Sequence, residues 1–264
     1  MKVTFLGTGT SYGVPYIGCD CAVCHSSDPR NNRLRCSIVV EGSESADGSV
    51  STRLLVDTTP DLRQQLLRSG ISRVSAVLWT HPHNDHIIGL DDMRPLTDRA
   101  GYIDGYANVE TISRLKHVFD YIFVPGRDHG GFPRMSDQIL EPRQAVVVGD
   151  IQVQAIPIFH GRREIFAYKF LSGGRSLVYA TDCSAIPDAS WELMQNVDVL
   201  ILDALRYKPH PTHFNVEQAL EAAAKLCPGR TLFTHMTHDL DHELTNSTLP
   251  PGVELAYDGL SFSV

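Results

Sequence analysis

The chain of 264 residues has no apolar run near the roughly 20 residues that a membrane-spanning helix requires. It has no internal repeat, and its first residues are too polar for a signal peptide. Positive charge is scarce, because 23 Lys and Arg stand against 31 Asp and Glu, for a net charge of −8. Proteins that bind nucleic acid usually carry a cluster of basic residues, and none is visible in this sequence. We therefore expect a cytoplasmic protein without a membrane partner, and nucleic acid is disfavoured as a ligand.

Hydrophobic residues make up 42% of the chain and charged residues 20%, which is typical of a globular protein. Strand-like runs dominate the first two thirds, whereas strands and helices alternate toward the end. The clearest helix covers residues 216–226, because Asn215 and Gln218 have the spacing of a capping box. We predict a single α/β domain over residues 1–264, with helices on the outer faces of its sheets. The strand candidates lie at residues 3–6, 37–40, 53–56, 74–79, 151–158, 166–171, 176–180, 197–202, 231–234 and 260–264.

The residues that indicate chemistry follow the apolar strand at residues 74–79. There the chain reads His81-Pro82-His83-Asn84-Asp85-His86. His81 and His83 alternate, so an extended backbone turns both imidazoles to one side, and the next two ligand types follow on the turn. A solvated loop would explain any one of these histidines, but the complete pattern favours metal binding. Such a loop can help to seat two cations a few ångströms apart, as hydrolases do to hold a bridging hydroxide.

Three further ligand-type residues stand where other apolar strands end, namely His160, Asp182 and His235. Each alone could be a cap or a buried polar group, but together with the loop they give seven candidate ligands. This pattern resembles the metallo-β-lactamase superfamily over almost the whole chain. The resemblance implies an αββα sandwich, two mixed sheets flanked by helices, that binds two divalent cations. Its ligand sets would be His81, His83 and His160 on one metal and Asp85, His86 and His235 on the other, with Asp182 bridging them.

The same resemblance assigns supporting roles to two residues and favours one class of reaction. Asp57 would support the site without binding metal, and Asp203 resembles it, although both could be simple loop caps. Flavodiiron oxidoreductases of the superfamily carry Glu where His83 stands, which favours a hydrolase. Many β-lactamases use Cys where Asp182 stands, and a hard bridging carboxylate suits phosphoester chemistry on zinc or manganese. Asp85 is counted as a catalytic residue as well as a ligand.

The cysteines form a second cluster, since Cys19, Cys21 and Cys24 give a Cys-x-Cys-x-x-Cys pattern. Three thiolates so close together indicate a tetrahedral zinc that lacks one ligand. The candidates for the fourth ligand are His25, His238, His242 and Cys36. The preceding residues 5–15 together with this trio resemble the start of the phosphoribosyl 1,2-cyclic phosphate phosphodiesterases, the PhnP-type enzymes. That resemblance implies His238 as the fourth ligand of a structural zinc, and a homodimer.

A candidate general acid precedes the helix at residues 216–226, in a segment that contains His210 and His213. His213 stands just outside the helix N-terminus, where backbone N–H groups favour anions. The family resemblance implies His213 as a catalytic residue that protonates the leaving alkoxide. His210 is the local alternative.

We interpret the chain as a metal-dependent phosphodiesterase that uses a dinuclear-metal hydroxide on a small cyclic phosphodiester. The family resemblance suggests 5-phosphoribosyl 1,2-cyclic phosphate, whose second phosphate Arg94, Arg162 or Arg163 could hold. One alternative is a tRNA 3′-processing endonuclease, although the Gly- and Pro-rich stretch at residues 124–133 is short for a tRNA-gripping arm. Another is a non-catalytic metal-binding factor, like the pyrroloquinoline quinone biosynthesis protein of the superfamily.

Overall fold

The computed structural model describes residues 1–43, 52–123 and 131–264. Within these ranges the strands form two sheets of seven strands each. In spatial order the first sheet contains β14 (Ser261–Ser263), β1 (Lys2–Gly7), β2 (Ser37–Glu41), β3 (Arg53–Val56), β4 (Ala76–Leu78), β5 (Ile103–Ala107) and β6 (Met135–Ile139). The second contains β13 (Val253–Leu255), β12 (Arg230–Thr234), β11 (Val199–Asp203), β10 (Arg175–Ala180), β9 (Arg163–Ser172), β8 (Ile151–His160) and β7 (Ala145–Val148).

Helices cover the outer faces of both sheets. In the described part of the chain they are α1 (Leu62–Ser69), α2 (Asn84–Ile87), α3 (Arg94–Ala100), α4 (Val109–Val118), α5 (Asp188–Met194), α6 (Val216–Leu226) and α7 (His242–Asn246). Short 3-10 turns lie at Pro29–Asn31 and Ile88–Met93. None of the described helices is long and apolar enough to cross a membrane.

The core consists of three apolar layers. Side chains such as Phe5 and Ile38 from the first sheet meet Tyr168 and Ile201 from the second between the two sheets. On the outer face of the second sheet, α5 and α6 pack over β8 to β12, and on that of the first, α1, α3 and α4 pack around the buried Trp79. Two mixed sheets flanked by helices confirm the predicted fold class.

The strand directions bring many chain turns to one edge of the sandwich. β10, β11 and β12 are parallel, and β8 runs in the same direction because β9 is antiparallel to both β8 and β10. In the first sheet, β3 and β4 are likewise parallel. The residues that follow the carboxyl ends of parallel strands meet at the same edge. This topology gathers the candidate ligands, which are far apart in sequence.

Differences from the sequence prediction lie in short or exposed elements. The sequence did not predict β5, β6 and β13, because polar residues interrupt these strands of three to five residues. It also missed β7, a four-residue apolar strand with alternately exposed side chains. β4 covers only Ala76–Leu78 of the strand predicted at residues 74–79. The segment between β2 and β3 joins two antiparallel neighbours, and its residues 44–51 lie outside the described ranges.

Candidate metal-binding active site

The loop after β4 provides the first group of candidate ligands. His81 Nε2 lies 3.0 Å from His83 Nδ1, and the two rings are 4.6 Å apart between centroids. His160, the last residue of β8, places its ring 5.3 Å from that of His81 and 5.0 Å from that of His83. One nitrogen from each of the three lies within 4.8 Å of the others, so the three could hold one ion.

The second group joins the same loop to the ends of β10 and β12. His86 Nε2 lies 3.2 Å from Asp85 Oδ2 and 3.3 Å from Asp182 Oδ2, and His235 Nε2 lies 3.2 Å from Asp182 Oδ1. These four side chains could hold a second ion. Asp182 also approaches the first group, since its Oδ1 is 3.8 Å from His81 Nε2. The structure therefore brings all seven predicted ligands together, with Asp182 between the two groups.

Hydrogen bonds behind the ligands turn their free nitrogens toward the centre. The Thr80 hydroxyl donates to Asp57, so His81 Nδ1–H donates to Thr80 Oγ1, at 3.0 Å. Asp57 Oδ2 also accepts from His86 Nδ1 at 2.7 Å. His160 Nδ1 donates to the Thr212 carbonyl at 2.7 Å. Such partners fix the tautomer of a metal-binding histidine and leave Nε2 as the ligand atom. Asp57 thus occupies the supporting position that the resemblance implied.

The charge of the site favours a bound cation. Asp57 and Asp182 are buried and Asp85 is half-buried around His86, whose Nε2 has no hydrogen-bond partner within the described residues. Burial opposes a charge on His86, but the carboxylates of Asp182, Asp85 and Asp57 outweigh it and raise the pKa of His86 well above its usual range. A divalent ion would supply that positive charge and leave the imidazole neutral, as a ligand must be. The nitrogen and carboxylate donor set suits zinc or manganese.

Three of these residues have an unusual backbone. Asp57, Asp182 and His235 have φ values of 65°, 55° and 60°, in the left-handed region. For residues other than glycine this conformation is uncommon and clusters at functional sites. At the end of a strand it turns the chain sharply, and here the side chains of all three residues lie within the buried site. The sequence contains no signal for this conformation.

His213 and Asp203 form a pair beside the ligand groups. His213 Nδ1 lies 2.7 Å from Asp203 Oδ2, and the His213 ring stacks on His235 at a centroid distance of 4.7 Å. The other side of that ring faces His160, also at 4.7 Å. Burial raises the pKa of Asp203 well above its usual range and lowers the pKa of His213. The structure thus places His213 within the ligand cluster, and His210 lies beside it with a ring distance of 5.1 Å.

The predicted cysteine cluster also forms. The Sγ atoms of Cys19, Cys21 and Cys24 lie 3.3, 3.6 and 3.4 Å from His238 Nδ1. Tetrahedral zinc with bonds of about 2.3 Å to sulfur and about 2.05 Å to nitrogen separates such atoms by about 3.6 Å. Burial raises the pKa of Cys24 to about 11, so a thiolate there needs a nearby cation. The four residues therefore fit a zinc ion.

The other candidates for the fourth cysteine-site ligand are elsewhere. His25 faces Asp20 at 3.4 Å on the surface. Cys36 is buried, with its thiol 3.0 Å from Thr234 Oγ1, and His242 packs its ring edge against Tyr257. Of the four candidates, only His238 contacts the three thiols.

The predicted phosphate-binding arginines differ in position. Arg163 lines a cavity of about 770 Å³ next to His83 and Asp85, while Arg162 lines a neighbouring cavity. Arg94 is exposed and lines neither of these cavities. Arg114 on α4 also lines the first cavity, and the sequence analysis missed it because a single arginine on a polar helix face gives no signal. The short arm considered for tRNA lies largely outside the described ranges, at residues 124–130.

Comparison with known proteins places these features in context. The sequence pattern of the beta-lactamase superfamily domain matches residues 52–236. A crystal structure described as a new diphosphatase from the PhnP family has 45% identity to this chain and a TM-score of 0.88, covering 100% of this chain and 97% of that one. The Zn²⁺-bound PqqB of Methylobacterium extorquens shares the fold, with 19% identity, a TM-score of 0.82 and complete coverage of both chains. An octanoyltransferase of Porphyromonas gingivalis is 32% identical over 98% of this chain, which spans only 51% of that protein.

Proposed function

Because the chain belongs to the metallo-β-lactamase superfamily, we propose that this metal-dependent hydrolase is a phosphodiesterase acting on a small phosphodiester. The leading candidate substrate is 5-phosphoribosyl 1,2-cyclic phosphate, from the resemblance to the PhnP-type enzymes and the 45% identical relative. The observation that carries the proposal is the His213–Asp203 pair within the ligand cluster. Cleavage of a phosphodiester releases an alkoxide, which needs a proton, and this pair can deliver one.

Seven side chains would hold the ions of the active site, in the two groups already described. Two divalent cations there would stabilise charge on the phosphoryl oxygens and lower the pKa of an attacking water. The chain itself fixes the ligand orientation through Asp57, Thr80 and the Thr212 carbonyl. Zinc or manganese suits these ligands, and a separate zinc would occupy the cluster of Cys19, Cys21, Cys24 and His238.

His213 would act as the general acid through its Nε2 atom. Its Nδ1–H donates to Asp203, so Nε2 faces the ligand cluster between the rings of His160 and His235. Burial lowers the pKa of His213, which makes the imidazolium a stronger acid. A stronger acid transfers its proton more readily to a leaving group in the transition state.

A diphosphate diester is the second candidate substrate, since the 45% identical relative is described as a diphosphatase. The two reactions make different demands on His213. The second ionisation of a phosphate monoester has a pKa of about 6, whereas the pKa of an alcohol is far higher. A proton donor accelerates the loss of an alkoxide far more than the loss of a phosphate. The buried His213–Asp203 pair therefore favours the phosphodiester with an alkoxide leaving group.

Phosphorus NMR with manganese-loaded protein and 5-phosphoribosyl 1,2-cyclic phosphate tests the proposal. We expect conversion to ribose 1,5-bisphosphate, and His213→Ala should slow it by about 10²- to 10⁴-fold, the usual contribution of a general acid. His210→Ala is the matched control and should remain within about two-fold of the unchanged protein, because the half-buried His210 contacts Thr212 and does not hydrogen-bond Asp203 or a metal ligand. Hydrolysis of a diphosphate diester alone would favour the second candidate. No turnover of either compound with metal bound would favour a non-catalytic metal-binding role.

A further inference from the structure

A second charged site adjoins the metal ligands, in the cavity of about 770 Å³ beside the loop after β4. His83 and Asp85 form one wall, and the polar face of α4 forms another. The side chains that reach the cavity from outside the ligand loop include Ser113, Arg114 and His117 on α4 and Arg163 at the start of β9. None of these four belongs to the proposed catalytic machinery.

The face of α4 that lines the cavity is fixed by the packing of its opposite side. Ile112 and Leu115 are buried against the first sheet, and the Asn108 side chain caps the helix by accepting from the Thr111 N–H. Glu110, Ser113, Arg114 and His117 follow the i, i+3, i+4, i+7 spacing of one helical face. These polar side chains are therefore presented to the cavity by a rigid element.

The charges on this face differ from those of the whole chain. Arg163 pairs with Glu110 at 3.2 Å, and both side chains are partly exposed. Arg114 forms no ion pair with any acidic group in residues 1–43, 52–123 or 131–264. The lining holds two arginines and two carboxylates, those of Glu110 and Asp85. Because Glu110 already pairs with Arg163, Arg114 is the arginine of this lining that remains available to an anion.

We propose that this cavity is a subsite for a second phosphate of the substrate, held by Arg114 and Arg163, with Ser113 and His117 as further donors. The proposal rests on the proposed phosphodiesterase function. The guanidinium is planar and can donate two parallel hydrogen bonds to a phosphate, which makes arginine a common phosphate ligand. The cavity lining is almost entirely polar or charged, with Pro82 as its apolar member, so an apolar group would gain little there.

Glu110 competes with an incoming anion for Arg163 at this subsite. Its carboxylate already holds Arg163, so an incoming anion must compete for that guanidinium. A terminal phosphate monoester carries a charge near −2 at neutral pH and competes better than a singly charged group. The preferred substrate class is therefore a phosphodiester that bears an additional terminal phosphate.

The first test compares two substrates that differ only in the remote phosphate, 5-phosphoribosyl 1,2-cyclic phosphate and ribose 1,2-cyclic phosphate. Arg114→Ala should lower kcat/KM for the phosphorylated compound by about 10- to 100-fold, as expected for a lost hydrogen bond between charged groups. It should leave the unphosphorylated compound within about two-fold. Arg94→Ala is the matched control and should change neither value. An equal loss for both compounds in Arg114→Ala would overturn the proposal.

Glu110→Gln gives a test with the opposite sign. It frees Arg163 without changing the size of the side chain, so kcat/KM for the phosphorylated compound should rise by up to about five-fold, the scale of one exposed ion pair. A decrease for that compound would contradict the role given to Arg163. A larger effect of Arg114→Ala on a short oligoribonucleotide than on the small substrate would instead assign the cavity to nucleic acid.

A binding measurement separates this proposal from the proposed function. Calorimetry would compare ribose 1,5-bisphosphate with ribose 1-phosphate on metal-loaded protein. Arg114→Ala should weaken the binding of the bisphosphate by about ten-fold or more and leave the binding of ribose 1-phosphate unchanged. Equal affinity of the two proteins for the bisphosphate would refute the subsite. If neither cyclic phosphate is hydrolysed, the phosphodiesterase function fails, and the calorimetric comparison still decides whether the subsite exists.

Discussion

Asp203 should act on the reaction only through His213, and Asp203→Asn tests this. The Asp203 carboxylate is fully buried and accepts from His213 Nδ1 at 2.7 Å. Asparagine keeps the size and one acceptor oxygen but removes the negative charge. A hydrogen bond to a charged group contributes about 1.5–3 kcal/mol. Because each 1.36 kcal/mol is tenfold in rate, we expect kcat for an alkoxide-releasing substrate to fall by about 10- to 150-fold.

The assay is a double-mutant cycle with two substrates. If Asp203 acts through His213, adding Asp203→Asn to His213→Ala should cost less than about three-fold, because residues that act as a unit are strongly non-additive. A substrate that releases p-nitrophenolate needs little protonation and should lose less than about ten-fold in each variant. Metal content is the control, since Asp203 Oδ1 also lies 4.0 Å from His235 Nδ1.

The pH dependence of the rate distinguishes a role of Asp203 in proton transfer from a purely structural role. A general acid must be protonated, so activity on the alkoxide-releasing substrate falls as pH rises through the pKa of His213. Burial lowers that pKa, and removal of the Asp203 charge should lower it further and move the falling limb to lower pH. Additive losses in the cycle, equal losses for both substrates, or an unchanged pH profile would show that Asp203 does not act through His213.

Three further predictions concern stability and metal content. His238→Ala should remove about one zinc per chain, measured by elemental analysis after dialysis, and an unchanged zinc content would contradict the four-ligand site. Burial and the neighbouring Arg30 and Arg33 lower the pKa of His242 to about 4, so the unfolded chain binds its proton first. Stability should therefore fall as pH drops from about 6.5 toward 4, by at most about 1.4 kcal/mol per pH unit. In urea unfolding, the free energy of unfolding of His242→Phe should fall less steeply between pH 6.5 and 4. An equal pH dependence in both proteins would contradict the prediction. A Cβ on Gly89 would lie 1.9 Å from the Thr59 carbonyl oxygen, so Gly89→Ala should destabilise the protein by about 1–3 kcal/mol in the same assay, and a neutral effect would be inconsistent with this packing.

Much of the site could be predicted from the sequence, because short-range patterns carried the strongest information. The loop from His81 to His86 and the cysteine trio each place several ligand types within a few residues. Strand-end residues such as His160 and His235 were identified because apolar runs end directly before them. The family resemblance and the position closer to the helix start favoured His213 over His210, whereas His238 was selected by the resemblance alone. The homodimer and the cytoplasmic location remain predictions.

Other features depend on contacts that a single sequence does not reveal. Which arginine faces the cavity depends on how α4 lies across the first sheet. The sequence alone therefore does not distinguish Arg114 from Arg94. The left-handed backbone of Asp182 follows from the tight turn after β10, which no glycine marks in the sequence. Arg33 is fully buried and donates to the carbonyls of Thr237 and Leu240, a role that no local pattern indicates.

The most direct test of the central claim is substrate turnover as a function of bound metal. The protein would be stripped with a chelator and titrated with manganese while phosphorus NMR follows 5-phosphoribosyl 1,2-cyclic phosphate. We expect no turnover without metal and a rise in turnover as the active-site ions bind. Asp182→Asn should abolish that rise, because Asp182 lies between both ligand groups. Turnover by the metal-free protein, or full activity of Asp182→Asn, would contradict a reaction centred on these seven side chains.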